Sequence, residues 1–391
     1  MTPAARLQAA IEILDEVIAS ARDDGPPADI IVTRYFKTRR YAGSGDRRAV
    51  RELVFRAIRR TAERPTSGRA AIVGLARDDA LLIELFGQVR GPGPMINGEE
   101  GSPAAPVPSW LEPEISLLVE PGEWPALLER APLDLRVNVA RADRDALIAQ
   151  FPGAAPTPIS PWGLRLPSDT RIDDHPAFAE GLVDVQDEGS QLIAIACGAQ
   201  DGMRILDLCA GAGGKALAIA AAAPGAEILA TDTNRSRLSK LAPRAGKAGA
   251  RIETRLLNPP RELDALADWA GTADVVLVDA PCSGSGTWRR NPEGRWRLTP
   301  DRLDRLVRAQ AQLLETAAAL VRPGGRLVYA VCSILTAEGD GQVSAFLAGR
   351  SSWVAEETPI AAGRLTGIGR LLVPGQDGTD GFFVARLVRP C

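Results

Sequence analysis

The 391-residue chain has one histidine, and that scarcity bounds its chemistry before any motif is read. A single imidazole, His175, argues against a His-based triad or a His-rich metal site and turns attention to cysteine and carboxylate chemistry. The ring itself is read as structural. Cysteine is scarce too. Five residues, an odd number without C-x-x-C spacing, give no disulfide framework and no zinc site, so no metal is expected and a reducing cytoplasm is the expected home. No apolar run approaches the roughly 20 residues of a membrane span. Arg6 is followed by Glu12, Asp15 and Glu16, which no signal peptide would carry. The net charge of −3 names no partner by itself, and 45% apolar with 24% charged residues is an ordinary globular balance.

The length calls for two or three domains. The first 90 residues read as helical: Leu7, Ile11, Leu14 and Ile18 share one stripe, and Val50, Leu53, Val54, Ala57 and Ile58 another, with Asp46 as a cap. Between Arg34 and Arg64 lie eleven basic residues opposed only by Asp46, Glu52 and Glu63, with Tyr35, Phe36 and Tyr41 interleaved. That density suits an RNA backbone better than a merely solvated helix face. A Gly- and Pro-rich linker from Gly91 to Ser109 closes this part, giving a helical unit over 1–128. A small β-α-β module over 129–182 follows, with strands at 133–139 and 164–166 and a helix at 144–150. From 183 to 391 strand and helix alternate, as in an α/β doubly wound, mostly parallel sheet. Strands are expected at 204–208, 226–231, 251–256, 274–278, 326–331 and 382–387, and helices at 186–197, 215–223, 234–247 and 301–321.

Two thiols stand out against that pattern. Cys282 follows Val-Leu-Val-Asp279-Ala-Pro, and Cys332 follows Leu-Val-Tyr-Ala-Val. Each run is a buried strand, so each thiol emerges at a carboxyl end, where open α/β sheets bind ligands. A third such transition is Asp207-Leu-Cys209-Ala210-Gly211-Ala212-Gly213-Gly214-Lys215, a glycine-rich turn into an Ala-rich helix. Asp232 ends the next strand, placed to accept both hydroxyls of a ribose. A P-loop is excluded, because Cys209 stands where its first Gly is needed and Ala216 where Ser or Thr would hold magnesium. The dinucleotide pattern G-x-G-x-x-G is also missing. What remains is a nucleoside cofactor, with a loop like that for S-adenosylmethionine in class I methyltransferases.

Four motifs in order, Asp207–Lys215, Asp279-Ala-Pro-Cys282-Ser-Gly-Ser-Gly-Thr, Tyr329-Ala-Val-Cys332-Ser and Asp380-Gly-Phe-Phe-Val-Ala-Arg-Leu387, resemble those of the Sun/Fmu (RsmB-type) RNA cytosine-5 methyltransferases. Val185-Gln-Asp-Glu-Gly-Ser-Gln191 matches that family's entry motif. The small module is similar to the family's linker domain and the helical unit to its NusB-like domain. The resemblance implies a class I methyltransferase fold and S-adenosyl-L-methionine as cofactor, held by Cys209, Ala210, Gly211, Ala212, Gly213, Gly214, Lys215, Asp232, Asn258 and Asp279. It implies Cys332 as the nucleophile on cytosine carbon 6, Cys282 for release, and Asp279 on the base edge near N3. Three departures from the family pattern stand out: Gly211-Ala212 for Ala-Pro, Val331 for Thr, and Asn258 for an acid. Ribosomal RNA is the expected substrate and a monomer the expected state. Transfer RNA, a non-catalytic RNA-binding assembly factor and a small-molecule methyltransferase are the alternatives. Cys197 and Cys209 read as core packing.

Overall fold

A computed structural model describes all residues, 1–391, and divides them into two compact units. The first comprises Met1–Ile115, Glu120–Glu129 and Thr287–Pro300, and the second Ser116–Val119, Arg130–Gly286 and Asp301–Cys391. No helix is long and apolar enough to cross a membrane.

The four longest helices of the first unit are α1 (Pro3–Arg22), α2 (Ala28–Lys37), α3 (Ser44–Arg60) and α4 (Gly68–Asp78). Thr2 caps α1, its hydroxyl accepting from the Ala5 amide at 3.2 Å, and Pro3 suits the first turn because its missing N–H would be unpaired there anyway. Leu7, Ile11, Leu14 and Val17 bury one stripe of α1 against Val50, Val54 and Ile58 of α3. Asp46 is not the cap residue of its helix. It sits in the first turn, and its carboxylate reaches back to the Gly43 amide at 3.1 Å, as a capping box requires.

Thr287–Pro300, far along the chain, completes this helical core. Trp296 is buried among its residues and donates to the Thr61 carbonyl at 2.8 Å. The Glu293 carboxylate accepts from the Ala28 amide at 3.0 Å, closing the start of α2. Arg295 is buried with its guanidinium on the carbonyls of Ile58 (2.6 Å) and Pro106 (2.8 Å), and burial pulls it down to about 9. A helical unit ending at 128 therefore lacks part of its own interior.

The second unit opens with a four-stranded antiparallel sheet in the order β2-β3-β1-β4: β1 (Leu133–Val137), β2 (Ala155–Pro156), β3 (Gly163–Leu166) and β4 (Val183–Val185). Because β4 hydrogen-bonds to β1, the small module extends past the expected boundary at 182. Its strands pair antiparallel, so it is not a parallel crossover unit. His175 caps a short helix through Nδ1, which accepts from Ala177 at 3.2 Å, and stacks on Phe151 with ring centroids 4.1 Å apart.

The larger sheet carries β5 (Arg204–Asp207), β6 (Glu227–Asp232), β7 (Glu253–Leu256), β8 (Ala273–Asp279), β9 (Val321–Val331), β10 (Val354–Glu356), β11 (Arg364–Leu365), β12 (Arg370–Leu372) and β13 (Phe382–Val388). Its order is β11-β12-β13-β9-β8-β5-β6-β7, with β10 on β13. The strands β7, β6, β5, β8 and β9 run parallel, and β13 lies antiparallel to β9. The chain winds outward from β5 to β7 and then returns to β8 on the other side of β5. The crevice for a ligand therefore opens at the carboxyl ends of β5 and β8. Helices α5 (Glu188–Ala196), α6 (Gly214–Ala222), α7 (Leu241–Ala248), α8 (Pro300–Leu320) and α9 (Asp340–Gly349) accompany it. The expected helix at 234–247 is broken, with α7 preceded by a separate turn at Arg235–Leu238.

Candidate active site

Cys282 and Cys332 leave the ends of neighbouring parallel strands, β8 and β9, whose register sets Asp279 opposite Ala330. Two backbone bonds fix the emerging loops, Ala280 to the Ala330 carbonyl (2.9 Å) and Gly286 to the Cys332 carbonyl (3.1 Å). The two sulfurs lie 3.3 Å apart. The hydrogen bond to Cys332, followed by burial, pushes the Cys282 thiol well above its ordinary range.

Beneath the thiols lies a polar network that motif reading missed. Fully buried Glu338 accepts from the Ser283 amide (2.8 Å), the Ser283 hydroxyl and the Gln310 amide group (3.0 Å). Gln310 also donates to the Pro281 carbonyl at 3.0 Å, and the Ser333 hydroxyl lies 3.3 Å from that of Ser283 and 3.0 Å from that of Ser285. The Tyr329 hydroxyl donates to the Glu338 carbonyl at 2.7 Å. A carboxylate in the loop six residues beyond Cys332 was the available signal.

The glycine-rich loop joins β5 to α6 on the same edge. Gly213 has φ 82°, and a Cβ there would stand 2.1 Å from a Leu241 methyl carbon, so only glycine fits. Asp232, at the end of β6, accepts from the Gly211 amide (2.8 Å) and the Asn234 amide (2.6 Å). Ala210 adds a bond to the Thr231 carbonyl at 2.8 Å. Lys215 is buried with its ammonium 2.7 Å from an Asp279 oxygen. Burial opposes that charge, but Asp279, aided by the nearby Cys332, raises its pKa overall. Asp207, fully enclosed below the loop, is pushed up to about 7 by burial and then by Asp279. Cys209 is pushed well above its usual range by burial and then by Asp207. Asn258 stands exposed past β7, where its neighbour Leu257 donates to the Asp232 carbonyl at 3.0 Å; its own side chain makes no hydrogen bond.

Each Asp232 oxygen holds one amide, leaving lone pairs for ribose hydroxyls. With the glycine turn beside it, this donor set fits a nucleoside cofactor. The entry motif joins the same edge: Asp187 caps α5 through the Gly189 amide (2.7 Å) and accepts from the Asp380 amide (3.2 Å). Gly286 and Gly381 meet closely, a Cβ on Gly286 falling 2.0 Å from the Gly381 carbonyl oxygen.

The basic segment of the helical unit divides in two. Arg34 pairs with Glu16, Arg39 with Glu12, Arg56 with Asp79 and Arg60 with Asp78, acids that lie outside the segment in sequence. Lys37, Arg40, Arg47, Arg48, Arg51 and Arg64 stay exposed without an ion pair, beside Tyr41 at 73% exposure. The basic surface is smaller than the count of eleven suggested.

A family profile described as 16S rRNA methyltransferase RsmB/F matches residues 194–388. The Ribosomal RNA small subunit methyltransferase B of Salmonella arizonae is 34% identical over 296 residues, covering 72% of this chain and 66% of the relative. The chain belongs to the RsmB/F family. Salmonella typhi has a similarly named relative at the same identity and coverage, so the chain spans just under two thirds of the length of these RsmB relatives. Among solved structures, PH0851 superposes with a TM-score of 0.75 at 22% identity over 99% of both chains. NSun6 from Pyrococcus horikoshii, solved with SFG, gives 0.59 at 20% identity over 68% of this chain and 92% of that one. At those identities the likeness is one of fold, and the fold of this RsmB/F member is the class I methyltransferase fold.

Proposed function

We propose that this protein transfers a methyl group from S-adenosylmethionine to carbon 5 of a cytosine in RNA, acting in the cytoplasm on small-subunit ribosomal RNA. The observation that carries the reading is the pair of thiols 3.3 Å apart beside the Lys215–Asp279 ion pair. The names of the relatives support a ribosomal substrate, and the neighbour solved with SFG, an analogue of the cofactor, supports the cofactor.

S-adenosylmethionine, when bound, supplies an electrophilic methyl group on a sulfonium. Cys209, Ala210, Gly211, Ala212, Gly213, Gly214 and Lys215 would hold it together with Asp232, Asn258 and Asp279. The chain supplies what carbon 5 lacks, which is nucleophilicity. As Cys332 Sγ bonds to carbon 6, the 5,6 double-bond electrons become available at carbon 5 for the methyl group. Asp279 hydrogen-bonds the base edge near N3 and favours that addition. Release then requires loss of the carbon 5 proton, return of that electron pair to the ring, and departure of Cys332 with the sulfur–carbon electrons.

Cys282 is suited to the release step. In the resting site the hydrogen bond with Cys332 is the largest cause keeping it protonated. Once the Cys332 sulfur is bonded to carbon, that cause weakens, so Cys282 can give its proton to solvent and, as the thiolate, take the one leaving carbon 5. The two thiols must therefore fail differently. Cys282→Ala is expected to accumulate a protein–RNA complex on 16S transcripts that survives denaturing electrophoresis. Cys332→Ala and the double variant are expected to give none. An adduct in Cys332→Ala would swap the roles, and full activity in both single variants would end the mechanism.

A further inference from the structure

A cavity of about 440 Å³ lies away from the thiols, walled by the small sheet on one side and by α6 and α7 on the other. Its chemistry is lopsided. Arg136 of β1 and Arg244 of α7 both turn to one carboxylate, Asp184 of β4, at 3.6 and 2.5 Å. Arg136 is almost wholly buried, and its other side-chain partner is the neutral Gln186 oxygen at 2.6 Å. Two guanidiniums on one carboxylate leave a net positive charge whose Arg136 end is desolvated while Arg244 and Asp184 stay partly exposed, and burying the Arg136 charge is costly unless something compensates it. No further acid lines the cavity, whereas Lys247 and Arg251 stand exposed on its rim. The Lys247 ammonium rests on the Phe178 ring, 3.9 Å from its centroid, a placement that fixes the charge at the mouth.

The opposite wall differs. Leu217, Ala220, Ala221 and Ile228 make it apolar. Helix α6, which carries the first three, ends here with its carbonyl end, which disfavours an anion. An occupant would therefore place its negative group towards Arg136 and Arg244 and its uncharged body along α6.

We propose that this cavity is a second nucleotide site, taking the phosphate of one nucleotide on Arg136 and Arg244, with Lys247 and Arg251 at the entrance and the sugar and base against α6. The phosphate can belong to the RNA strand or to a free mononucleotide. Only the strand arm rests on RNA being the substrate. Arg244 also donates to the carbonyl of Ala212 in the glycine loop, so occupancy is transmitted to the cofactor edge through one side chain.

The test is binding to the full-length protein, measured by calorimetry with cytidine 5′-monophosphate and with a cytidine-containing 12-mer RNA. Both probes are read without methyl transfer, so an inactive thiol pair would leave the result intact. Lys247→Glu with Arg251→Glu, both exposed, is expected to weaken both probes at least tenfold. For the 12-mer, the slope of log affinity against log salt should flatten by about 0.7 for each phosphate no longer neutralised. Arg136→Met is expected to abolish mononucleotide binding with no loss of thermal stability, because the uncompensated charge leaves with it. Loss of 12-mer affinity alone, with no mononucleotide binding in the parent protein, assigns the site to the strand. Unchanged affinity for both probes in the double reversal overturns the proposal, whatever the activity does.

Discussion

The carboxyl edge of the large sheet and the surface of the helical unit are both dense in functional-looking residues, yet they use them in opposite ways. At the edge, side chains widely separated in sequence converge: Cys282 on Cys332, Lys215 on Asp279, Ser283 on Glu338. In the helical unit, a run of neighbouring cations disperses, four of its arginines turning to acids of α1 and α4 or the residue after α4, Arg59 to the Leu128 carbonyl, and the other six cations lying exposed. A motif states what a strand end must carry, because the strand fixes where the next side chain goes. A charge count on helices does not, because each side chain chooses among local partners.

That contrast can be tested from its largest consequence downward. Trp296→Ala removes the largest late-arriving side chain of the helical core and should cost about 3–5 kcal/mol in urea unfolding. If the loss is under about 1 kcal/mol, the Thr287–Pro300 segment is a passenger and the helical unit closes without it.

Asp207 sharpens the other side. Its folded pKa, about 7, lies above the unfolded value of 3.8. The folded state therefore binds the proton more tightly, and stability rises as pH falls from 7 towards 4. Asp207→Asn should stabilise the cofactor-free protein by up to about 4 kcal/mol at pH 8 and by little at pH 4. A gain independent of pH would show that the carboxyl is not held as its burial implies.

Glu338→Gln keeps the shape but turns one acceptor into a donor facing the Ser283 and Gln310 donors. An unsatisfied buried donor costs about 1–3 kcal/mol, so kcat is expected to fall roughly 10- to 100-fold with KM for RNA little changed. An unaltered kcat would mean the thiol loops hold their places without the network.

The smallest effect separates the two kinds of arginine. Arg48→Glu with Arg51→Glu should weaken RNA binding and flatten its salt slope by about 0.7 for each phosphate they had neutralised. Arg60→Gln, which breaks the pair with Asp78, should lower thermal stability and leave that slope alone. The reverse outcome would restore the whole basic run as an RNA-binding surface.

Much of the fold was legible because β-branched runs ending in Asp or Cys and glycine turns before Ala-rich stretches constrain the backbone over few residues. Hence β5, β6, β8 and β13 fall close to their expected bounds, and β9 ends where expected but begins five residues early, at Val321. The strands β10, β11 and β12 were not, since two or three residues carry no periodicity. The residues of the site were readable as chemistry but not as a constellation. Ser283 and Glu338 are 55 positions apart, and only the adjacency of β8 and β9 brings them together. Arg136 and Arg244 were invisible for the same reason, one on the small sheet and one on α7.

The burial of Trp296 among α1 to α4 also sets a timetable for synthesis. A chain grows from its amino terminus, and domains generally fold as units while it does. Here the first unit to emerge cannot finish, because the plug for its interior is encoded some 230 residues after α3. The nascent helices wait with an open seam until the polypeptide has passed Thr287, by which point β8 and the Cys282 loop are already outside the ribosome. Cutting the gene after Glu129 would produce an amino-terminal fragment with a permanent hole, prone to clump through the surface that Trp296 was meant to seal.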